Sequence, residues 1–527
     1  MLVHHLLEQS AARFPEQVAL VCGEQRLTYT ELNAQAEAIA GVLAAAGVRR
    51  GDRVVLFMDN AAETVIGLFA ALKAGAVFSV INPTTKRAKL LQILDNCRPT
   101  ALIVDEGRLE TVAGIDAAVG SLRYLLAVTT VSPDGVTGRA RVETWARALA
   151  RQEPRPPVRV IDLDLAAIIY TSGSTGMPKG VMSAHRNVLA ATTSINGYLH
   201  NTPQDVILDV LPLSFDYGLY QIFLAFQVGA RVVLEKGFLY PAVAVERMRA
   251  EGVTAFPGVP TLFSLLLQHR RMAFDLPALR YLTNTAAALP VSHITRIREA
   301  FPRATLFSMY GLTECKRVSY LPPEELDRRP GSVGIPIPNT EVYLVDERGE
   351  RLPPGSVGEL VVRGSHVMRG YWNDPVETAR RFRPGPLPGE TVLYTGDLVR
   401  MDEEGFLYFI GRMDDIIKSR GEKVSPKEVE GVVYRLDGVL DAAVVGVPDP
   451  VLGEAVKLVV SLAPGSALTE RDIRRHCHQH LEDFMVPRYV EIWPDLPKTP
   501  AGKIDKLAIR ARHGMSDGVG AAPPAVS

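Results

Sequence analysis

Tyr170-Thr-Ser-Gly-Ser-Thr-Gly-Met-Pro-Lys-Gly180 is the stretch on which the fold and chemistry of this 527-residue chain turn. It follows Leu165-Ala-Ala-Ile-Ile-Tyr170, an apolar run of buried-strand type, and then sets three glycines, four small hydroxyl side chains and one lysine within ten residues. Glycine lets a backbone bend until several N–H groups converge on one anion. Gly173 and Gly176 supply that freedom, Thr171, Ser172, Ser174 and Thr175 add hydroxyl donors, and Lys179 adds a point charge for outer phosphates. The spacing G-x-x-x-x-G-K-[ST] of the Walker loop is absent, so a phosphate cradle of another kind is expected.

The ordered run resembles the signature loop of the adenylate-forming superfamily, which includes acyl-CoA synthetases, adenylation domains of peptide synthetases and luciferases. Four later stretches resemble that family's motifs in the same order. Ser308-Met-Tyr-Gly-Leu-Thr-Glu314 is similar to the second nucleotide motif, and the resemblance implies that Tyr310 stacks on adenine, Thr313 meets the α-phosphate and Glu314 holds Mg2+. The chemistry suits these roles: a flat π face for a purine, a hydroxyl donor for an anion, a hard oxygen for a hard cation. Tyr394-Thr-Gly-Asp397 resembles the motif whose aspartate accepts from both ribose hydroxyls. Gly411-Arg-Met-Asp-Asp415 resembles the hinge, with Asp414 as pivot and Arg412 reaching the nucleotide, and Pro497-Lys-Thr-Pro-Ala-Gly-Lys503 resembles the segment that carries the adenylation lysine, Lys503. The chain departs from the family in two places: Ser308 stands where Asn or Asp is usual, and Ala286 and Ala287 where two glycines often lie against the adenine.

Composition agrees with a large enzyme. A chain of this length exceeds one ordinary core, so two or more domains are expected. With 58 basic and 59 acidic residues the charge is balanced, which removes the electrostatic footprint of a nucleic-acid binder. Four scattered cysteines without a C-x-x-C pair argue against zinc and against a disulfide framework. No run reaches the length of a membrane span, and Met1 to Glu8 lacks the pattern of a signal peptide, so a cytoplasmic protein is expected.

Strand and helix patterns alternate through the first three hundred or so residues, as in α/β folds. The expectation is a large N-terminal domain of alternating β/α sheets plus a small β-barrel-like sheet over residues 1–411, a hinge at 412–415, a small mobile α+β domain at 416–510, and a Gly/Ala/Pro-rich, disordered tail at 511–527.

Two positions bear on the substrate. Phe215 stands where the resemblance places an aromatic residue or His beside the carboxylate being activated, and Asp216 stands where amino-acid-selecting relatives pair with a substrate ammonium. A lone Asp in a turn more often serves local hydrogen bonds. Lys316 and Arg317 follow the second motif directly; pointing inward they would meet a second acidic group on the substrate or phosphate, pointing outward they are solvated charges, and the sequence leaves both open. The resemblance implies an AMP-forming acid–thiol ligase that uses ATP and Mg2+, activates a small-molecule carboxylic acid and passes the acyl group to coenzyme A. The alternative is a stand-alone adenylation enzyme that loads an amino acid or related acid onto the phosphopantetheine of a carrier protein. Lys179, Thr313, Glu314 and Lys503 are the expected catalytic set.

Overall fold

The computed structural model describes residues 1–172, 178–238, 240–268, 274–285, 289, 291–413, 415–419, 422–449, 453–499 and 502–512. Two mixed sheets carry the large part of the molecule. In one, Arg53–Phe57, Val77–Ile81, Ala101–Asp105, Tyr124–Val128, Arg141–Thr144 and Leu165–Ser172 run parallel, and Pro178–Ala184 closes the edge antiparallel to Leu165–Ser172. The other has nine strands, with a parallel centre from Val18–Cys22 to Thr305–Tyr310 and short antiparallel edges.

The helices between these sheets are apolar on all sides, as a helix covered on both faces must be. In Ala62–Lys73 every residue except Glu63 is buried, and in Asp216–Val228 burial is continuous from Asp216 to Phe226. Phe69 stacks on Phe226 at 5.6 Å and meets Phe223 edge-on at 6.2 Å, so the two helices lock through aromatic rings. Each such ring pair contributes about 0.5–1.5 kcal/mol beyond area burial. Lys73 is buried in this layer, and Glu8 (2.5 Å) and Glu37 (3.1 Å) satisfy its ammonium.

Local signals act where the sequence places them. Thr28 caps Tyr29–Ala45 in a capping box with Glu31, Thr469 does the same with Asp472 for Glu470–His480, and Pro sits in the first turn of Pro426–Val433. Two expectations are corrected. The third sheet, built from Thr340–Val345, Val357–Gly364, Phe382–Pro384, Thr391–Met401 and Leu407–Arg412, is antiparallel but open rather than barrel-like: among the described residues Thr340–Val345 pairs with Val357–Gly364, apart from a lone Val345–Arg351 bridge, and does not join the far edge. Asp216 is not in a turn after a strand; it is the first residue of a helix whose cap is Phe215.

The small part comprises a five-stranded sheet dominated by the hairpin Val439–Asp449 and Gly453–Leu462, with Pro426–Val433 and Glu470–His480 packed on it through Val429, Val433, Ile473 and Cys477. Its last segment reaches back: the Thr261 hydroxyl donates to the Gly502 carbonyl at 3.4 Å.

Candidate active site

Lys179 lies on the strand after the glycine-rich loop, opposite Thr171 in the register, and the Thr171 hydroxyl donates to the Lys179 carbonyl at 3.4 Å. Gly180 is obligatory there, because a Cβ would stand 2.7 Å from Ile168 and 3.1 Å from the Tyr170 ring. The Lys179 ammonium pairs with Glu377 at 3.1 Å and sits 5.6 Å from the centre of the Tyr371 ring. Burial alone would raise the Glu377 carboxyl; Lys179, with Arg380 and Arg381, outweighs it and holds the carboxyl below its ordinary value. Tyr371 is the bridge to the second motif, since its hydroxyl donates to Glu314 Oε1 at 2.6 Å. Thr313 is half-buried beside Glu314.

Tyr310 ends a strand that continues the parallel centre of the nine-stranded sheet, and its hydroxyl donates to Asp397 Oδ2. Asp397 lies inside the long strand Thr391–Met401, is 1% exposed, and pairs through Oδ1 with Arg412 at 3.1 Å. Burial raises its carboxyl above the ordinary value despite the guanidinium and the hydroxyl. The preceding Gly396 has φ +68° and leaves no space for a side chain, because Arg381 Nη1 fills the position of a Cβ.

Lys503 arrives from the small part on the turn before the last helix, and its ammonium lies 5.9 Å from the centre of the Phe215 ring. Solvent reaches it along the cleft. The surrounding protein still lowers its basicity, while Asp216, Asp397 and Glu314 oppose that fall. The same charges therefore act on Lys503 that line the two nucleotide motifs. Lys427 stands 4.5 Å over the Phe409 ring, and burial drops it to about 8.

Behind Phe215 the site becomes dry and charged. Lys316 and Arg317 both point inward. The segment after Gly311 folds back on that glycine: Val318 N–H donates to the Tyr310 carbonyl at 2.9 Å, and a Cβ on Gly311 would lie 2.3 Å from the Lys316 carbonyl oxygen. Lys316 takes φ +63°, a left-handed conformation that costs a non-glycine residue of order 1 kcal/mol or more. Its ammonium bonds the Asp216 carbonyl at 2.8 Å, lies 3.5 Å from Asp216 Oδ2, and faces the rings of Tyr217 and Tyr220. Burial lowers Lys316 to about 7, against the pull of Asp216. Asp216 thus has a cation from its own chain at the position where amino-acid-selecting relatives pair with a substrate ammonium.

Residues 7–372 match the model of the AMP-binding enzyme, and residues 428–503 match that of the AMP-binding enzyme C-terminal domain. The chain belongs to the AMP-binding enzyme family. It is 31% identical over 528 residues to the long-chain-fatty-acid–CoA ligase of Bacillus subtilis (strain 168), covering 95% of this chain and 92% of that protein. Among solved structures it is similar to the anthranilate CoA ligase AuaEII in complex with anthranoyl-AMP, with TM-score 0.88 and 26% identity over 98% of each chain. ATP-bound MatB from Rhodopseudomonas palustris gives a TM-score of 0.86 at 28% identity, over 97% of this chain and 99% of that one. No helix among the described residues is long and apolar enough to cross a membrane.

Within this AMP-binding enzyme, two linked groups form among the motif residues, Lys179 with Glu314 through Tyr371, and Tyr310 with Asp397 and Arg412. Lys503 lies against the ring of Phe215. Gly173, Ser174, Thr175, Gly176 and Asp414 lie outside the described residues, as does the side chain of Ser172. Sequence reasoning did not single out Tyr371, Glu377, Arg381 or Lys427. The only local signal near the first three is the turn-forming run Asn373-Asp-Pro375, which announces a loop and its helix but not where that helix docks.

Proposed function

We propose that this chain is an ATP-dependent, AMP-forming acid–CoA ligase, with Lys503 as its adenylation lysine. The observation that supports this reading best is the meeting of Lys503 with Phe215 in a cleft where the charges of Asp216, Asp397, Arg412 and Glu314 all reach it. In the first half-reaction a carboxylate oxygen attacks the α-phosphorus of ATP, the bond to the pyrophosphate oxygen breaks, and pyrophosphate leaves with its charge. Lys503 faces both the carboxylate and the α-phosphate, so it offsets their mutual repulsion as they approach. Lys179, released from Glu377 by the incoming phosphates, steadies the leaving group. Asp397 accepts from the ribose hydroxyls, Tyr310 stacks on the base, and Thr313 donates to the α-phosphate.

The Glu314 carboxylate has the donor chemistry of a Mg2+ site: hard oxygens, one of them oriented by the Tyr371 hydroxyl. Glu314 would hold the ion, which when bound supplies charge neutralisation on the phosphates. In the second half-reaction the thiol sulfur of coenzyme A attacks the acyl carbon, AMP leaves, and the thiol proton passes to solvent. Rotation about residues 412–415 withdraws Lys503 and opens its place to the thiol.

Pyrophosphate exchange over a panel of carboxylic acids, repeated with coenzyme A and mass detection, tests the assignment. Exchange plus acyl-CoA is the expected result. Exchange with transfer only to a phosphopantetheinylated carrier protein would replace the acceptor, and absence of exchange with every acid would remove the ligase reading.

A further inference from the structure

The largest fully buried side chain among the described residues is an arginine. Arg317 is 2% exposed, and its Nε and Nη1 have no hydrogen-bond partner among the described residues. No ion pair joins it to a carboxylate among those residues, although its neighbour Lys316 takes Asp216. A guanidinium cannot discard its charge at any ordinary pH, and an unpaired buried ion is among the most unfavourable groups a protein can hold. It also lies beside a second cation. Lys316 Nζ is 5.3 Å and Arg317 Cζ 5.4 Å from the centre of the same Tyr217 ring.

Both cations are held there by construction. Gly311 admits the backbone of Lys316 and Arg317 so closely that a Cβ would stand 2.9 Å from Arg317 Cα, and the left-handed Lys316 is retained despite its conformational cost. Asp209, the other buried carboxyl near Lys316, accepts from the Leu211 N–H at 3.1 Å, burial raises it above its ordinary value, and among the described residues no ion pair joins it to the arginine. The location also has a direction. Lys503 lies against the ring of Phe215, the ring of Phe215 lies 6.4 Å from that of Tyr217, and Arg317 lies against Tyr217. The guanidinium is one aromatic residue further than Phe215 from Lys503, the lysine that the proposed function sets against the reacting carboxylate.

We propose that Arg317 is the receptor for a second carboxylate on the acyl portion of the substrate, making this a ligase for dicarboxylic acids that activates one carboxyl and anchors the other. This rests on the ligase reading above. A carboxylate would give Nε and Nη1 their missing acceptors and pair the guanidinium charge. A plain fatty acid would leave the guanidinium dry and unpaired.

The test is pyrophosphate exchange with matched acids over a ladder of chain lengths, each as the dicarboxylic acid, its mono-methyl ester and the plain monocarboxylic acid. It is run on the full chain and on Arg317→Met and Arg317→Lys, with thermal melts of all three proteins. The wild type should favour one dicarboxylic acid over its plain counterpart, and Arg317→Met should lose roughly 10- to 100-fold in kcat/KM for that acid while keeping or gaining activity on the plain one. Arg317→Lys should recover part of the preference. Because the charge is unpaired without substrate, Arg317→Met should melt at the same temperature or higher. Exchange by the wild type with plain acids in preference to every dicarboxylic acid overturns the proposal and leaves the ligase intact, whereas no exchange with any acid removes the ligase reading itself. Equal loss on all acids in Arg317→Met, or failure of that variant to fold, would make Arg317 a structural residue and overturn the proposal too. Equal preference for diacid and mono-ester would reassign the acceptor from carboxylate to carbonyl.

Discussion

Under the proposed roles, the nucleotide side and the acyl side of the cleft treat charge in opposite ways. Towards the nucleotide, Lys179 leans on Glu377, Glu314 on Tyr371, and Asp397 on both Tyr310 and Arg412. Each group that a ligand would need already has a partner, and Arg412, Glu377 and Tyr310 among those partners are only partly buried, so exchange is cheap. Towards the acyl group, Asp209, Asp216, Lys316 and Arg317 are all buried, and Arg317 Nε and Nη1 lack an acceptor among the described residues. The first arrangement suits a ligand common to every turnover. The second discriminates, because a buried polar group left unpaired penalises the wrong substrate more than a good contact rewards the right one.

The sharpest way to break the contrast is at the point where the two sides meet. Lys503→Ala should lower pyrophosphate exchange by about 10²–10³-fold and leave thioester formation from supplied acyl-adenylate near wild type; equal loss in both assays would sink the two-position role of the small domain. On the nucleotide side alone, Asp397→Ala should raise the KM for ATP roughly 10- to 100-fold without altering the order of preference among acids. A changed acid preference would show that the sides are not separable.

Gly311→Ala probes the acyl side through the backbone. Its Cβ meets the Lys316 carbonyl at 2.3 Å, so the segment must shift, with an expected loss of about 2 kcal/mol in chemical denaturation. The smallest effect concerns pH. Lys316 has a folded value of about 7 against an ordinary 10.5, so between those values the unfolded chain holds a proton that the folded chain does not. Stability should therefore rise with pH across that window, by about 1 kcal/mol per pH unit from this group, and Lys316→Met should flatten the rise. A profile identical in the variant would mean that Lys316 is not desolvated.

Much of this was legible in the sequence. The strands from Arg53–Phe57 to Thr305–Tyr310 follow apolar runs, and the helix starts at Thr28, Ser425 and Thr469 are written in side chains one to four residues away. The order of Lys179, Glu314, Asp397 and Lys503 along the chain carries the resemblance and singles them out as candidates. What escaped depends on contacts between distant segments. Pro178–Ala184 becomes a strand because Leu165–Ser172 offers it an edge, and Pro at its first position hid this. The inward aim of Lys316 and Arg317 follows from the close backbone packing on Gly311, and the Lys179–Glu377 pair joins two stretches far apart in sequence. The open third sheet was read as barrel-like because alternating strands show where side chains face but not whether the last strand returns to the first.

The bond between Tyr310 and Asp397 has a consequence for the end of the catalytic cycle. Under the proposed roles the departing ribose is replaced at its carboxylate by a hydroxyl that never leaves the protein. AMP release is then an exchange of one alcohol for another, and the emptied carboxylate does not have to draw water into a buried position. Tyr310 works as a latch that ejects the spent nucleotide, and a Phe in its place should slow AMP dissociation measured by rapid mixing.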